Sequence, residues 1–351
     1  MDHLPKHRRS PWHAGEKTLQ DIYSVAERME VIGQKVIRDY MPDQHREFYQ
    51  QLPFMVVGTV DAQRRPWATL LEGPEGFVTS PDPQQLLLAV QPDAQDPAAS
   101  GLQADQAIGL LGIELHTRRR NRINGVIQQV SADGLAVAVE HSYGNCPKYI
   151  QARSYTRSSE PLQQRAEREN FTELNDRTTA MIRAADTFFI ASYFDHDAHN
   201  RSVDVSHRGG RAGFVKVEGN RLTIPDYAGN LFFNTLGNLS VNPRAGLLFV
   251  DFATGDVLQL AGRAEIVLDS PLIQAFEGAE RLWTFDVEQV VLRPAAASLR
   301  WAFEEYAPTS LMTGTWAETE VRLREREQRN QWQRWRVQRQ QQESTDIRSF
   351  V

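Results

Sequence analysis

The sequence predicts a mainly β chain of the α+β class: two copies of one small antiparallel barrel in tandem, with helices at both ends. Two observations carry this. Apolar residues alternate over short runs broken by Gly, Pro, Asn and Asp, the patterning of strands and turns. The pattern also repeats at a fixed offset. Gly76-Phe77-Val78 and Gly213-Phe214-Val215 are 137 residues apart (213 − 76), as are Gly109-Leu110-Leu111 and Gly246-Leu247-Leu248, and Gly125 and Gly262. So long a period marks a duplicated domain rather than a solenoid unit. About six short strands per copy suit a closed or partly open barrel.

Residues 1–42 read as a helical arm. Leu19, Ile22, Val25, Met29, Ile32, Val36 and Ile37 recur at helical spacing over 18–40, and Pro42 stops the run. A short helix over 43–51 opens the first barrel (43–165). The strand FMVVGTV, the turn DAQRRP and the returning strand WATLLEG follow. SPDPQQ and QPDAQDPAASG are loops by their Pro, Asp and Gly content. AIGLLGIEL, RINGVIQQV and LAVAVEHSY are further strands, NCPKYIQAR follows, and the polar residues 154–170 form the linker.

The second barrel (166–310) starts with the helix ELNDRTTAMIRAA, capped by Thr172 with Asn175 in place of the acidic third residue of a capping box. FFIASYFDHDAHNRSVDVSHRGG then repeats the first hairpin in type and order, and EGAERLWTFDVEQVVLRP is a loop plus a last strand. Trp301 and Phe303 after it are placed to close the barrel or flank a ring ligand. Residues 311–351 hold a long polar helix over 316–342, docked by Trp332 and Trp335, and a β-like start, ESTDIRSFV, without a partner.

With 351 residues and 41% hydrophobic content the chain can bury a core in each copy. A net charge of −6 gives no sequence-wide basic field for nucleic acid or anionic lipid, and the arginines of 316–342 read as a solvated helix face. Apolar runs such as Gly246–Val250 are too short to span a bilayer, and the basic N-terminus lacks the apolar stretch of a signal peptide. The single cysteine, Cys146, excludes an internal disulfide and any multi-cysteine metal site, and reads as a packed or surface thiol. DHDAH (195–199) is a polar hairpin turn rather than a metal-ligand set, and His13, His196 and His199 read as solvent-exposed. The expectation is a soluble, cytoplasmic, metal-free protein.

The candidate site lies in residues 201–249. Arg201, Ser202, Ser206, His207, Arg208, Asn234, Thr235, Gly237 and Asn238 interleave with apolar strand positions. A guanidinium, hydroxyls and Gly-exposed N–H groups suit an anion such as phosphate. An exposed sheet edge with polar turns is the plain alternative. Aligned with the first copy, Arg201 matches Arg65, whereas Val203, Asp204 and Ser206 match Trp67, Ala68 and Leu70. FFNTLGNLSVNPRA matches QDPAASGLQADQA. An apolar, polar-poor site is therefore expected in copy one and the ligand pocket in copy two.

DVSHRGG followed by PDYAGNLFFNTLGNLSVNPRAGLLFVDF resembles the pyridoxamine 5′-phosphate oxidase-related, FMN-binding split β-barrel family, and NCPKYI and RRRNRINGV are similar to segments of the same group. The resemblance covers most of residues 10–305. It implies tandem split barrels with FMN in a groove at the barrel–barrel interface, formed within one chain where the usual family dimer uses two. It places the phosphate-binding arginine on Arg201, ring-lining backbone on Ser202, Val203, Asp204 and Val205, and an aromatic-hydroxyl pair of phosphate contacts on Phe233 and Asn234. Gly237 matches the next turn. The oxidase's basic pair after that turn is absent, leaving Asn238, or His207 and Arg208, as substitutes, and Gln259 is the ring-edge donor. The oxidase's substrate lysine falls on Ser206, so the resemblance implies an FMN protein other than a true pyridoxamine phosphate oxidase.

Two classes of function follow. One is an FMN-dependent oxidoreductase acting on a small molecule, or passing electrons from NAD(P)H or a reductase partner. The other is a non-catalytic flavin or haem binder or electron-transfer module. No acid/base pair has convincing spacing, and His207 is the one titratable candidate for a catalytic role. The terminal STDIRSFV resembles the opening strand of ferredoxin-reductase-type modules, implying a longer electron-transfer chain; a frayed tail is the alternative. A homodimer of the tandem chain is also compatible with the reading.

Overall fold

The computed structural model describes residues 10–158, 166–330 and 338–350. Three helices, α1 (Ala14–Ile22), α2 (Ala26–Val36) and α3 (Asp43–Gln50), precede the first sheet. Its strands are β1 (Phe54–Val60), β2 (Pro66–Glu72), β3 (Val78–Thr79), β4 (Gln85–Leu88), β5 (Ala107–Glu114), β6 (Arg119–Ser131) and β7 (Gly134–Gly144). β8 (Ala152–Arg157), β9 (Glu169–Phe171) and α4 (Asp176–Ala184) lead to the second sheet. That sheet comprises β10 (Thr187–Asp195), β11 (Arg201–Gly209), β12 (Lys216–Glu218) and β13 (Arg221–Tyr227), then α5 (Asn234–Val241), β14 (Arg244–Val250), β15 (Val257–Val267), α6 (Pro271–Ala275) and β16 (Ala279–Arg293). β17 (Leu299–Glu305), α7 (Pro308–Leu311), α8 (Trp316–Asn330), β18 (Gln340–Gln342) and β19 (Arg348–Phe350) complete the described chain.

The two sheets have one topology. Strand order is β2-β1-β5-β6-β7-β4-β3 in the first and β11-β10-β14-β15-β16-β13-β12 in the second, with β9 added beside β16. Neither path closes on itself, so both copies are split barrels. No described helix is long and apolar enough to cross a membrane.

The seam between the barrels explains why two strands read as continuous apolar runs. β1 is buried at all seven positions. Met55 and Val57 face the first barrel's core, while Phe54 and Val56 face the seam. β10 divides likewise: Phe188 and Ile190 point into the second core, Phe189 and Ala191 into the seam. Each fully buried side chain of this size contributes about 1.5–3 kcal/mol of hydrophobic free energy. The seam is pseudo-symmetric. A Cβ on Gly109 would lie 2.6 Å from the Val203 carbonyl oxygen, and one on Gly246 would lie 2.2 Å from that of Pro66. Gly109 and Gly246, like Pro66 and Val203, are one repeat apart, so one contact is made twice with the copies exchanged. These glycines persist because backbone meets backbone there.

The strand register corrects the sequence alignment by one residue. Gly58 pairs with Gly109 and Ala68, and Ala191 pairs with Gly246 and Val205. Ala68 therefore matches Val205, Trp67 matches Asp204 and Thr69 matches Ser206. A one-residue slip in a strand exchanges its two faces.

Other elements also differ from expectation. The N-terminal run breaks at Ser24, whose φ is +54°. The break lets Leu19 enter the second barrel's core while Met29 and Ile37 pack with Trp12, Tyr143 and Phe232. Asn175, not Thr172, caps α4, in a capping box with Thr178. The segment NTLGNLSV is a helix, α5, rather than turns. Along the expected 316–342 helix, α8 covers Trp316–Asn330, and 340–342 instead form β18, which pairs β19 and gives the terminal segment a local partner. Trp332 and Trp335 lie outside the described residues. β8, from the end of the first barrel and the linker, pairs β17.

Candidate functional site

β11 runs along the seam, and its alternation sorts the candidate residues. Val203 and Val205 are fully buried among apolar side chains. Their backbone does not line an open groove, because Gly109 packs onto it and the Asn124 side chain donates to the Val203 carbonyl at 2.6 Å. The opposite face carries Ser202, Asp204, Ser206 and Arg208, divided between two cavities. Ser206, His207 and Arg208 line one cavity with Phe233, Asn234 and Thr235. Arg201, Ser202 and Asp204 line the other, and Asn234 borders both. Arg201 and Arg208 are seven residues apart on an extended strand, roughly 23 Å, so a single phosphate cannot touch both.

The first cavity is cationic. Arg120, Arg122, Lys148, Arg208 and Arg281 line it against one carboxylate, Asp226. Asp226 holds Arg208 in an ion pair and lies 3.2 Å from Arg281 Nε, whose N–H is not aligned on it. Arg281 is 1% exposed, flanked by Tyr23 and Phe233, and its Nη1 has no partner. Burial, then the neighbouring Arg122 and Arg208, push the Arg120 guanidinium down to about 10. Arg120 Nη1 lies 3.2 Å from His207 Nδ1. Arginine only donates, so Nδ1 accepts and the proton sits on Nε2, which is buried without a partner. Burial and the Arg120, Arg153 and Arg208 charges hold His207 well below its ordinary pKa. Its Nε2–H is thus a neutral donor facing the cavity, while Nδ1 is occupied by Arg120. α5 starts at this cavity, and its N-cap residue, Phe233, adopts φ +61° and offers no side-chain cap. Its first N–H groups are therefore open to an anion.

The second cavity encloses about 1020 Å³. Here Arg201 pairs through Nε with Asp195 Oδ1 at 2.6 Å and lies over the Tyr193 ring. Ser202 Oγ meets His196 Nε2 at 2.7 Å. Between the cavities runs a buried polar partition. Asp204 accepts from Arg122 at 3.3 Å, and from Asn124 and Asn238 at 2.9 Å each. α1 completes it: His13 Nε2 is 2.8 Å from Asn238 Oδ1, and Glu16 accepts from Asn234 Nδ2 at 2.7 Å. His13, expected in solvent, is therefore packed, stacked on Phe194 and lowered in pKa by burial. Burial, then the nearby Asp204 charge, raise the Glu16 carboxyl to about 8.

Three expected site residues have other positions. Gly237 is inside α5, not in a turn; a Cβ there would lie 2.5 Å from Glu16 Cγ, so it is the seat of α1. Asn238 faces the partition rather than either cavity. Gln259 belongs to the equivalent position of copy one. Its Nε2 donates to the Ala68 carbonyl and to Asp96, both at 2.9 Å. That position is polar, not apolar as expected: Arg293 Nη1 reaches Asp96 at 2.7 Å, and Trp67 Nε1 reaches Asp61 at 3.0 Å. Phe233 and Asn234 sit at a helix start, not on a strand. Sequence reading missed Arg120, Arg122, Lys148, Asp226 and Arg281. The arginines of RRRNRINGV, in an otherwise buried strand, are the signal in the sequence.

Among solved structures, the chain resembles HupZ of Group A Streptococcus at 13% identity and a TM-score of 0.28, covering 36% of this chain and 97% of that one. A putative pyridoxamine 5′-phosphate oxidase of Lactobacillus delbrueckii aligns at 13% and 0.28, over 35% and 97% of the chains. A FAD-binding protein of Mesorhizobium loti aligns at 12% and 0.26, over 36% and 97%. No curated protein matches the sequence. The sequence profile of the pyridoxamine 5′-phosphate oxidase family matches twice, over residues 41–172 and 174–308. Two successive matches that together span most of a chain folded as paired split barrels make this protein a tandem member of the pyridoxamine 5′-phosphate oxidase family.

Proposed function

We propose that the chain binds FMN with its phosphate in the cationic cavity and works as an FMN-dependent oxidoreductase. It acts on a small-molecule substrate or passes electrons from NAD(P)H or a reductase partner. One observation supports this above the others: at the seam of an oxidase-family chain, an uncapped helix start faces orphaned, buried donors on His207 and Arg281. Each unmatched donor costs about 1–3 kcal/mol when buried, and an anion satisfies several at once. The enclosed volume, about 140 Å³, fits a phosphate or a single ring; about 150 Å³ takes one benzene. The rest of the ligand extends beyond the enclosed part. When bound, the flavin supplies hydride or single-electron chemistry. The chain's own residues bind and orient it: Arg208 and Arg281 as cations, His207 Nε2–H as a neutral donor, α5 by its N–H groups. Because the seam is internal, the site is complete in one chain.

The His207 tautomer bears on the haem alternative. An iron ligand at Nε2 needs the proton on Nδ1, where Arg120 donates, so flavin is the better-supported ligand. Fluorescence titration with FMN and with riboflavin tests the reading. FMN is expected to bind at least tenfold more tightly, since one charge-assisted contact is worth about 1.5–3 kcal/mol. Equal affinities reject the phosphate site. Bleaching of bound FMN by NADH or NADPH supports the oxidoreductase, and bound flavin inert to reductants supports the binding module instead.

A further inference from the structure

The two copies offer the same position to an anion, and one of them is already filled from within. In copy one, the Asp96 carboxylate is 5% exposed and accepts four hydrogen bonds. Arg293 Nη1 donates at 2.7 Å, Gln259 Nε2 and the Ala98 N–H at 2.9 Å each, and the Thr69 hydroxyl also donates. Four donors saturate a carboxylate's acceptor sites.

One repeat later, Thr69 becomes Ser206, Ala98 becomes Thr235 and Asp96 becomes Phe233, while Gln259, which comes from copy two, matches Arg122 one repeat earlier. The 3-10 turn Pro97–Gly101 becomes the start of α5. Ser206, Arg122 and Thr235 all line the cationic cavity, where Arg122 and Thr235 donate to Ser206 and Arg122 also donates to Asp204 across the partition, and the position of the Asp96 carboxylate is taken by Phe233. Gln259 and Arg122 also cross the seam, each serving the other copy's strand. The buried His207 Nε2 and Arg281 Nη1, both without partners, face the same cavity.

We propose that Asp96 is an internal ligand: its carboxylate occupies in copy one the anion position that copy two leaves open. The chain therefore binds one phosphate-bearing ligand, not two, with the phosphate bounded by Ser206, Arg122 and the N-terminus of α5. This deepens the flavin reading and rests on it for the ligand's identity, not for the number of anion positions.

Calorimetric titration of the full chain with FMN and, separately, with inorganic phosphate counts the positions. The wild type is expected to take one equivalent of each. Asp96→Ala removes the internal carboxylate beside Arg293 and is expected to take a second phosphate, which raises its melting temperature more than it raises that of the wild type. Two equivalents of either probe in the wild type overturn the proposal. So does an Asp96→Ala protein with the wild-type phosphate count and melting shift. Should Asp96→Ala fail to fold, the wild-type count still decides. No FMN uptake, with phosphate counts of one and two, rejects flavin and leaves the Asp96 assignment standing.

Discussion

Raising the pH is predicted to loosen α1 from the groove, through Glu16. This carboxyl is buried against Asp204, with Arg122 and His13 also near it, and is held at about 8 against an ordinary 4.5. The folded state thus keeps a proton that the unfolded state gives up. The stabilisation is complete below pH 4.5 and is lost as pH rises through about 8. At about 1.4 kcal/mol per pKa unit, the span corresponds to roughly 5 kcal/mol across that window. His13, lowered by burial, acts in the opposite sense at acid pH, so a difference measurement isolates Glu16. Urea unfolding of wild type and Glu16→Gln at pH 5.5 and 8.5 supplies it, with hydrogen exchange of residues 14–22 reporting α1 itself. The wild type should lose several kcal/mol more than Glu16→Gln between the two pH values, with exchange in α1 rising first. Equal losses in both proteins would refute the buried, protonated Glu16.

Two further perturbations test the packing. Gly237→Ala puts a methyl group against Glu16 backbone atoms at 2.8 Å; it should accelerate exchange across α1 while leaving exchange in β1 and β5 unchanged. Arg153→Met removes the buried partner of Asp186, bonded at 2.6 and 2.7 Å. It should cost about 3–5 kcal/mol in urea unfolding, much of it recovered by adding Asp186→Leu.

Most of the fold was legible because strands alternate and the duplication preserved glycines under hard steric constraint, such as Gly109 and Gly246. The register of β2 against β11 was not: the first hairpin is shorter, and Arg65 beside Arg201 offered a false anchor. The site was half legible. Ser206, His207, Arg208 and Thr235 reach the cationic cavity from one continuous stretch. Arg120 and Arg122 come from the other copy and Arg281 from the distant β16, and nothing local in sequence ties them to β11. Gln259 failed for the same reason, since strands here serve the neighbouring barrel. Gly237 resembled a turn because glycine also appears where one helix seats another, as Gly15 does on α1.

The central claim, that the phosphate sits between Arg208 and α5 rather than at Arg201, is tested most directly by FMN affinity in two variants. Arg208→Gln should weaken FMN binding roughly 10- to 150-fold, the equivalent of about 1.5–3 kcal/mol for one charge-assisted contact, and leave riboflavin binding unchanged. Arg201→Gln should change FMN affinity less than threefold, its guanidinium being paired with Asp195 in the other cavity. The reverse pattern, a large loss at Arg201 with none at Arg208, would contradict the account.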